Sequence, residues 1–193
     1  PTPREAAHLR AISAALDENA AEACRIYDEI LADDPHDLLA LAVAQVFDYY
    51  LGNAESQLRR TTRVLRSWRG TMPGYHAVLA MYAYALQECG AYEEAGAAAH
   101  RALALRPRDV RAHHAIAHVM ALQGRPREGT ARLEATSSQW DRGDGTATHH
   151  WWHLALFHLD LDDVGAALDI YDTHIGAHPG ASLSSLADAS ALL

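Results

Sequence analysis

The stretch AYEEAGAAAHRALALRPRD, residues 91–109, decides how the chain is read. Ala95, Ala99 and Ala102 recur at three- and four-residue intervals, on one face of a helix, and Pro107 then stops that helix. Two other stretches share this shape and phase: AAEACRIYDEILADDP (20–35) and VGAALDIYDTHIGAHP (164–179). Pro35, Pro107 and Pro179 stand 72 residues apart, and so do Ala23, Ala95 and Ala167. Tyr27 and Tyr171 occupy one phase, with Ala99 between them.

Glycines and prolines break the chain at Pro35, Gly52, Pro73-Gly74, Gly90, Pro107, Gly124, Pro126 and Pro179. The pieces between them carry apolar residues at helical spacing, and none shows a strand's alternation. With two units per 72 residues the mean period is 36. That is close to the 34-residue tetratricopeptide repeat, whose second helix carries an Ala-x3-Phe pattern followed by proline. The reading is all α, a tetratricopeptide-like α-solenoid forming a single repeat domain over 1–193. Its hairpins are expected at about 3–33, 36–68, 74–105, 108–137 and 147–178, with a last helix from about 180. The first helix of each pair is expected to line a concave binding surface. The C-terminal run LADASALL lacks a polar cap, which predicts a piece of a longer protein.

Composition narrows the function classes. Hydrophobic residues make up 49% of the chain, enough for a real core. A net charge of −9 argues against nucleic acid as a partner. No apolar run approaches a membrane span, and the first residues carry no apolar signal core. Cys24 and Cys89 lie far apart in helix-like segments and read as reduced, inert thiols, Cys89 being expected inside an apolar helix. A cytoplasmic location follows as the expectation. All sixteen cationic residues are arginine, so chemistry that needs a lysine is excluded.

Histidine is in excess, thirteen in all, seven of them from His113 to His158. His76, His113 and His149 fall near the starts of three successive first helices, so stacking is expected to bring them together. His114 and His118 are one helical turn apart, and His149 and His153 repeat that spacing. On the helix THHWWHLALFHLD, His149, Trp152, His153, Leu156 and Asp160 share one face; Trp151, Ala155 and His158 share another. Two His-x3-His pairs on neighbouring helices have the spacing with which imidazoles reach one ion. Glu88, Asp160 and Asp188 are candidate carboxylates for such a site, with Glu88 a candidate general base. No HExxH motif is present. Three readings stay open for the cluster: core packing, a pocket for a peptide or small polar ligand, and a centre for a divalent transition metal, with or without catalysis.

Other features have plainer readings. Arg59, Arg63 and Arg66, with Arg60 and Arg69 beside them, form a stripe on a second helix and are expected to be a solvated face. SSQWDRGDGTAT (137–148) reads as a long loop, either a lid or a simple insertion.

The chain from Gly74 to Asp188 resembles the tetratricopeptide repeat protein 38 family. The likeness is carried by Met81, Tyr82, Ala83, Leu86, Glu88 and Gly90; by His114 to Val119; by His149, Trp152, His153, Ala155 and Leu156; and by Asp188. Gln87 stands where the pattern has glutamate, and His150 where it has asparagine. Members are longer at both ends. The resemblance implies the repeat fold and nominates Glu88, His114, His118, His149, Trp152, His153 and Asp188 as ligand-binding residues, without implying a reaction. The function expected is a binding or scaffold protein with a His-rich concave pocket for a protein, peptide or small polar ligand. The alternative is a metal-binding protein or metal-dependent enzyme.

Overall fold

The computed structural model describes residues 1–141, 145–176 and 183–192. Among them every regular element is helical. Chain packing divides into two compact units, residues 1–105 and 106–193.

The first unit holds three helical hairpins: α1 (Pro3–Leu16) with α2 (Ala20–Asp33), α3 (Leu38–Tyr50) with α4 (Ala54–Leu65), and α5 (Tyr75–Glu88) with α6 (Tyr92–Leu105). The second holds α7 (Val110–Leu122), α8 (Pro126–Trp140), α9 (Gly145–Asp160), α10 (Val164–Ile170) and α11 (Leu183–Ala191). The chain of α10 runs on into a π-helical stretch, Tyr171–Ile175. None of the described helices is long and apolar enough to cross a membrane.

The repeat period has a local cause. In each turn from a first to a second helix one residue takes a positive φ: Glu18, Gly52, Gly90, Gly124 and Asp162. Only a residue tolerant of the left-handed region closes so tight a turn, which is why glycine recurs there. Asp37 and Asp109, each two residues after a repeat proline, cap α3 and α7 by accepting backbone N–H bonds. Ala23, Ala95 and Ala167 are all buried, because small side chains let paired helices approach closely. Tyr27 is buried in the same phase. Pro179 lies outside the described residues.

Each unit has its own core. In the first, Tyr27, Leu31, Leu41, Val64 and Trp68 cluster, and the Trp68 indole N–H donates to the Pro35 carbonyl at 2.9 Å. In the second, Leu133, Trp140, Leu154 and Phe157 form the centre.

Three expectations need correction. The stretch 137–148 is mostly helix: α8 continues to Trp140, whose ring is fully buried, and α9 begins at Gly145. A buried indole extends the helix beyond what the polar sequence suggests; the Arg-Gly-Asp at 142–144 lies outside the described residues. The arginine stripe is not wholly solvated. Arg59, Arg63, Arg66 and Arg69 are exposed, but Arg60 is buried between Asp28 and Asp48. Cys89, expected inside the helix, is exposed at its C-terminal end, where the chain turns at Gly90.

Candidate functional site: a four-imidazole cluster

Helix α7 is started by Asp109, whose carboxylate accepts from the backbone N–H groups of Arg111 and Ala112. That cap fixes where the helix begins and hence which face His114 and His118 share. Helix α9 presents His149 and His153 one turn apart in the same way. The two helices pack within the second unit, and the four side chains converge. One nitrogen from each imidazole lies within 4.8 Å of the others. Four nitrogens around one ion at ~2.0–2.1 Å would stand about 3.3 Å apart, so only modest side-chain adjustment separates this cluster from a coordination shell.

The bonding of each ring decides what it offers. The Nε2 atoms of His114 and His118 are 2.8 Å apart, so one ring donates a proton to the other's lone pair. His149 donates from Nδ1 to Asp188 Oδ2 at 2.9 Å, which leaves the Nε2 lone pair free to ligate. Nε2 of His153 is buried and has no hydrogen-bond partner, and the residue is 4% exposed. A buried nitrogen without a partner is costly and calls for an explanation.

Electrostatics favours neutral rings. Burial, reinforced by the neighbouring imidazoles, holds His114 and His153 well below the ordinary histidine value. His118 is pushed down to about 4 by burial first and then by the other rings. Neutral imidazole is the form that binds metal, and an ion would replace the His114–His118 hydrogen bond.

The surroundings are aromatic. Trp152 stacks on His149, with ring centres 5.2 Å apart and planes 13° apart. Its own Nε1 is buried without an acceptor. His150 is fully buried; it stacks on Trp140 and donates from Nδ1 to the Thr146 carbonyl at 2.8 Å. In the sequence His150 stands out only as a departure from a family pattern, although its position four residues after Thr146 is the spacing of such a back-bond. Another stack that the sequence does not announce pairs Trp151 with His174, ring centres 3.7 Å apart. No periodicity brings α9 onto the π-helical stretch.

The nominated residues therefore separate. His114, His118, His149, Trp152, His153 and Asp188 belong to one neighbourhood. His113, expected to join His149, instead bonds the Pro107 carbonyl from Nε2 at 2.9 Å and is buried. The next residue along, a helical step of 100°, faces α9 in its place. His76 lies on α5 of the first unit. Glu88 also lies there, ends α5, and accepts from Gln87 Nε2 at 2.6 Å. Asp160 is exposed at the end of α9. His158 lies beside Asp163 and Glu134.

No protein-family model matches the chain. Among solved structures, it is similar to a thermophilic TPR protein of Thermus thermophilus, with a TM-score of 0.71 at 18% identity and 98% of both chains covered. It is similar to PilF of Pseudomonas aeruginosa, with a TM-score of 0.66 at 19% identity, over 98% of this chain and 82% of that one. A third likeness is to YrrB, a TPR protein with an unusual peptide-binding site, with a TM-score of 0.55 at 18% identity, over 94% of this chain and 89% of that one. These likenesses establish the fold: the chain is an all-α protein of tetratricopeptide-like helical repeats, of the α-solenoid class.

Proposed function

We propose that this chain is a tetratricopeptide-like repeat protein that binds one divalent transition-metal ion through His114, His118, His149 and His153. One observation carries the reading: the four side chains bring imidazole nitrogens within 4.8 Å of one another, and Nε2 of His153 is buried without a partner. Imidazole sets of this kind suit zinc, copper, nickel and cobalt rather than magnesium or calcium, which prefer oxygen. Four protein nitrogens fill a tetrahedral shell. Catalytic zinc centres keep one position for water, so the set favours a structural or regulatory ion over a hydrolytic one. The resemblance to the tetratricopeptide repeat protein 38 family nominates the same histidines together with Glu88, Trp152 and Asp188.

The test is elemental analysis of the protein purified without chelator or affinity tag, followed by reloading of the stripped protein with zinc or cobalt. The expected result is one metal per chain, a cobalt form with the visible absorption of a tetrahedral centre, and loss of both in His114→Ala or His153→Ala. Stripped protein that takes up neither ion would overturn the reading.

A second reading, that the repeats hold a protein or peptide, rests on a different observation. Helix α3 exposes Leu39, Val46, Tyr49 and Tyr50, an apolar and aromatic set on one helix. YrrB, of similar fold, has a peptide-binding site. Metal and peptide readings concern different units of the chain, so the two do not compete.

A further inference from the structure

Helix α11 is held in an unusual way. It has nine residues, too few to be stable alone in water. Its buried side chains among those described are Ser185 and Asp188, one turn apart and both polar. Leu186 is 45% exposed, and Ser184, Ala187, Ser190 and Ala191 are exposed as well. The helix thus turns the Asp188 carboxylate toward α9. A buried carboxylate is stable only when its charge is answered.

What answers it is His149, whose Nδ1–H donates to Asp188 Oδ2 at 2.9 Å. A dication seated among the four rings would reinforce that answer, polarising the His149 ring, strengthening its Nδ1–H as a donor and placing positive charge near Asp188. The arrangement becomes a metal–histidine–carboxylate relay, in which the carboxylate orients the ligand and the metal stabilises the carboxylate.

We infer that α11 is docked by the metal: occupancy of the His114–His118–His149–His153 centre fixes α11 on α9 through the His149–Asp188 bond, and loss of the metal releases it. The inference rests on the metal-binding reading above. Linkage makes it reciprocal: if the ion favours the docked helix, the docked helix favours the ion by the same factor. The centre is then a metal-responsive switch whose output is the C-terminal helix. Asp188 acts as a positioning residue and not as a ligand, since its contact is with the far nitrogen of His149.

Amide hydrogen exchange of the full chain tests this, with and without stoichiometric zinc, and with metal content measured on the same samples. Protection in 183–192 should rise at least about tenfold on loading and fall again when the metal is stripped, while α1 to α4 serve as the reference. Asp188→Asn, which keeps the shape and removes the charge, should weaken zinc binding about 10- to 100-fold. Its loaded form should show little zinc-dependent protection of 183–192. Stoichiometric zinc with unchanged exchange in 183–192 would overturn the docking and leave the metal site standing. Full zinc-dependent protection in Asp188→Asn at unchanged affinity would overturn the role given to Asp188. Absence of bound zinc in the wild-type chain would overturn both the site and the docking.

Discussion

Arg60 shows how one residue departs from its neighbours in the chain. It sits in an arginine-rich helix whose other arginines reach solvent, yet it is 2% exposed. Its guanidinium donates to both Asp28 oxygens, at 2.9 and 3.1 Å, and to Asp48 Oδ2 at 2.5 Å. Burial works against its charge, but the two aspartates outweigh that and hold its pKa above the ordinary value. The planar fork, with donors in fixed directions, is what bridges two carboxylates at once. Removing one member of a buried ion group strands the others, so Arg60→Ala should destabilise the first unit by about 3–5 kcal/mol. Arg60→Lys should recover only part of this, because an ammonium cannot span both acids. Urea unfolding of the variants checks both; a loss below ~1 kcal/mol would mean a solvated, dispensable pair. Exposed Arg25, bonded to Glu22 and Glu29, makes a fair control for which little change is expected.

Between elements, helix-to-helix approach is set by small residues at particular phases. Gly129 of α8 lies directly against the Phe157 ring of α9, so a Cβ there would fall onto the ring. Gly129→Ala should therefore cost about 1–3 kcal/mol through overpacking. Gly96 lies inside α6 with nothing near its missing side chain. Gly96→Ala should stabilise by about 0.5–1 kcal/mol, since alanine loses less conformational freedom in a helix. Thermal melts of the two variants should move in opposite directions; a shared direction would mean that propensity, not packing, governs the α8–α9 contact. The α7–α9 pairing obeys the same physics, and there it brings two histidine pairs face to face. Sequence spacing makes each pair visible, while the repeat phase points one residue off, to His113 instead of His114. Periodicity locates a face to within about one residue, and in a helix one residue is 100°.

For the molecule as a whole, the shifted histidines give a pH dependence of known sign. His118 and His150 are brought down to about 4 in the folded chain by burial. Unfolded, they titrate near ~6.5. The unfolded state therefore takes up protons first as pH falls. Stability from these rings is complete above about 6.5 and drains away as pH drops toward about 4. His114 and His153, shifted the same way, add to the loss. The melting temperature of metal-free protein should fall steadily from about pH 7 to about pH 5, and bound metal should oppose that fall, since protons and metal compete for the same nitrogens. A melting temperature flat across this range would mean that the rings are hydrated and free to protonate in the folded chain. All four of these rings belong to the second unit, so the loss should begin there.

The helical character and the class of fold are legible in the chain alone. They depend on local periodicity and on turn residues such as Gly90 and Gly124, whose demands are written within a few positions of each other. The two His-x3-His pairs are legible for the same reason. Folding in three dimensions was needed to show that His114 faces His149 and His153, that His153 carries a buried nitrogen without a partner, that Asp188 answers His149 from α11, and that Arg60 is inside. Each of these depends on long-range packing. The surroundings that decide it lie in another helix, and its energy comes from burial and charge that no local pattern encodes.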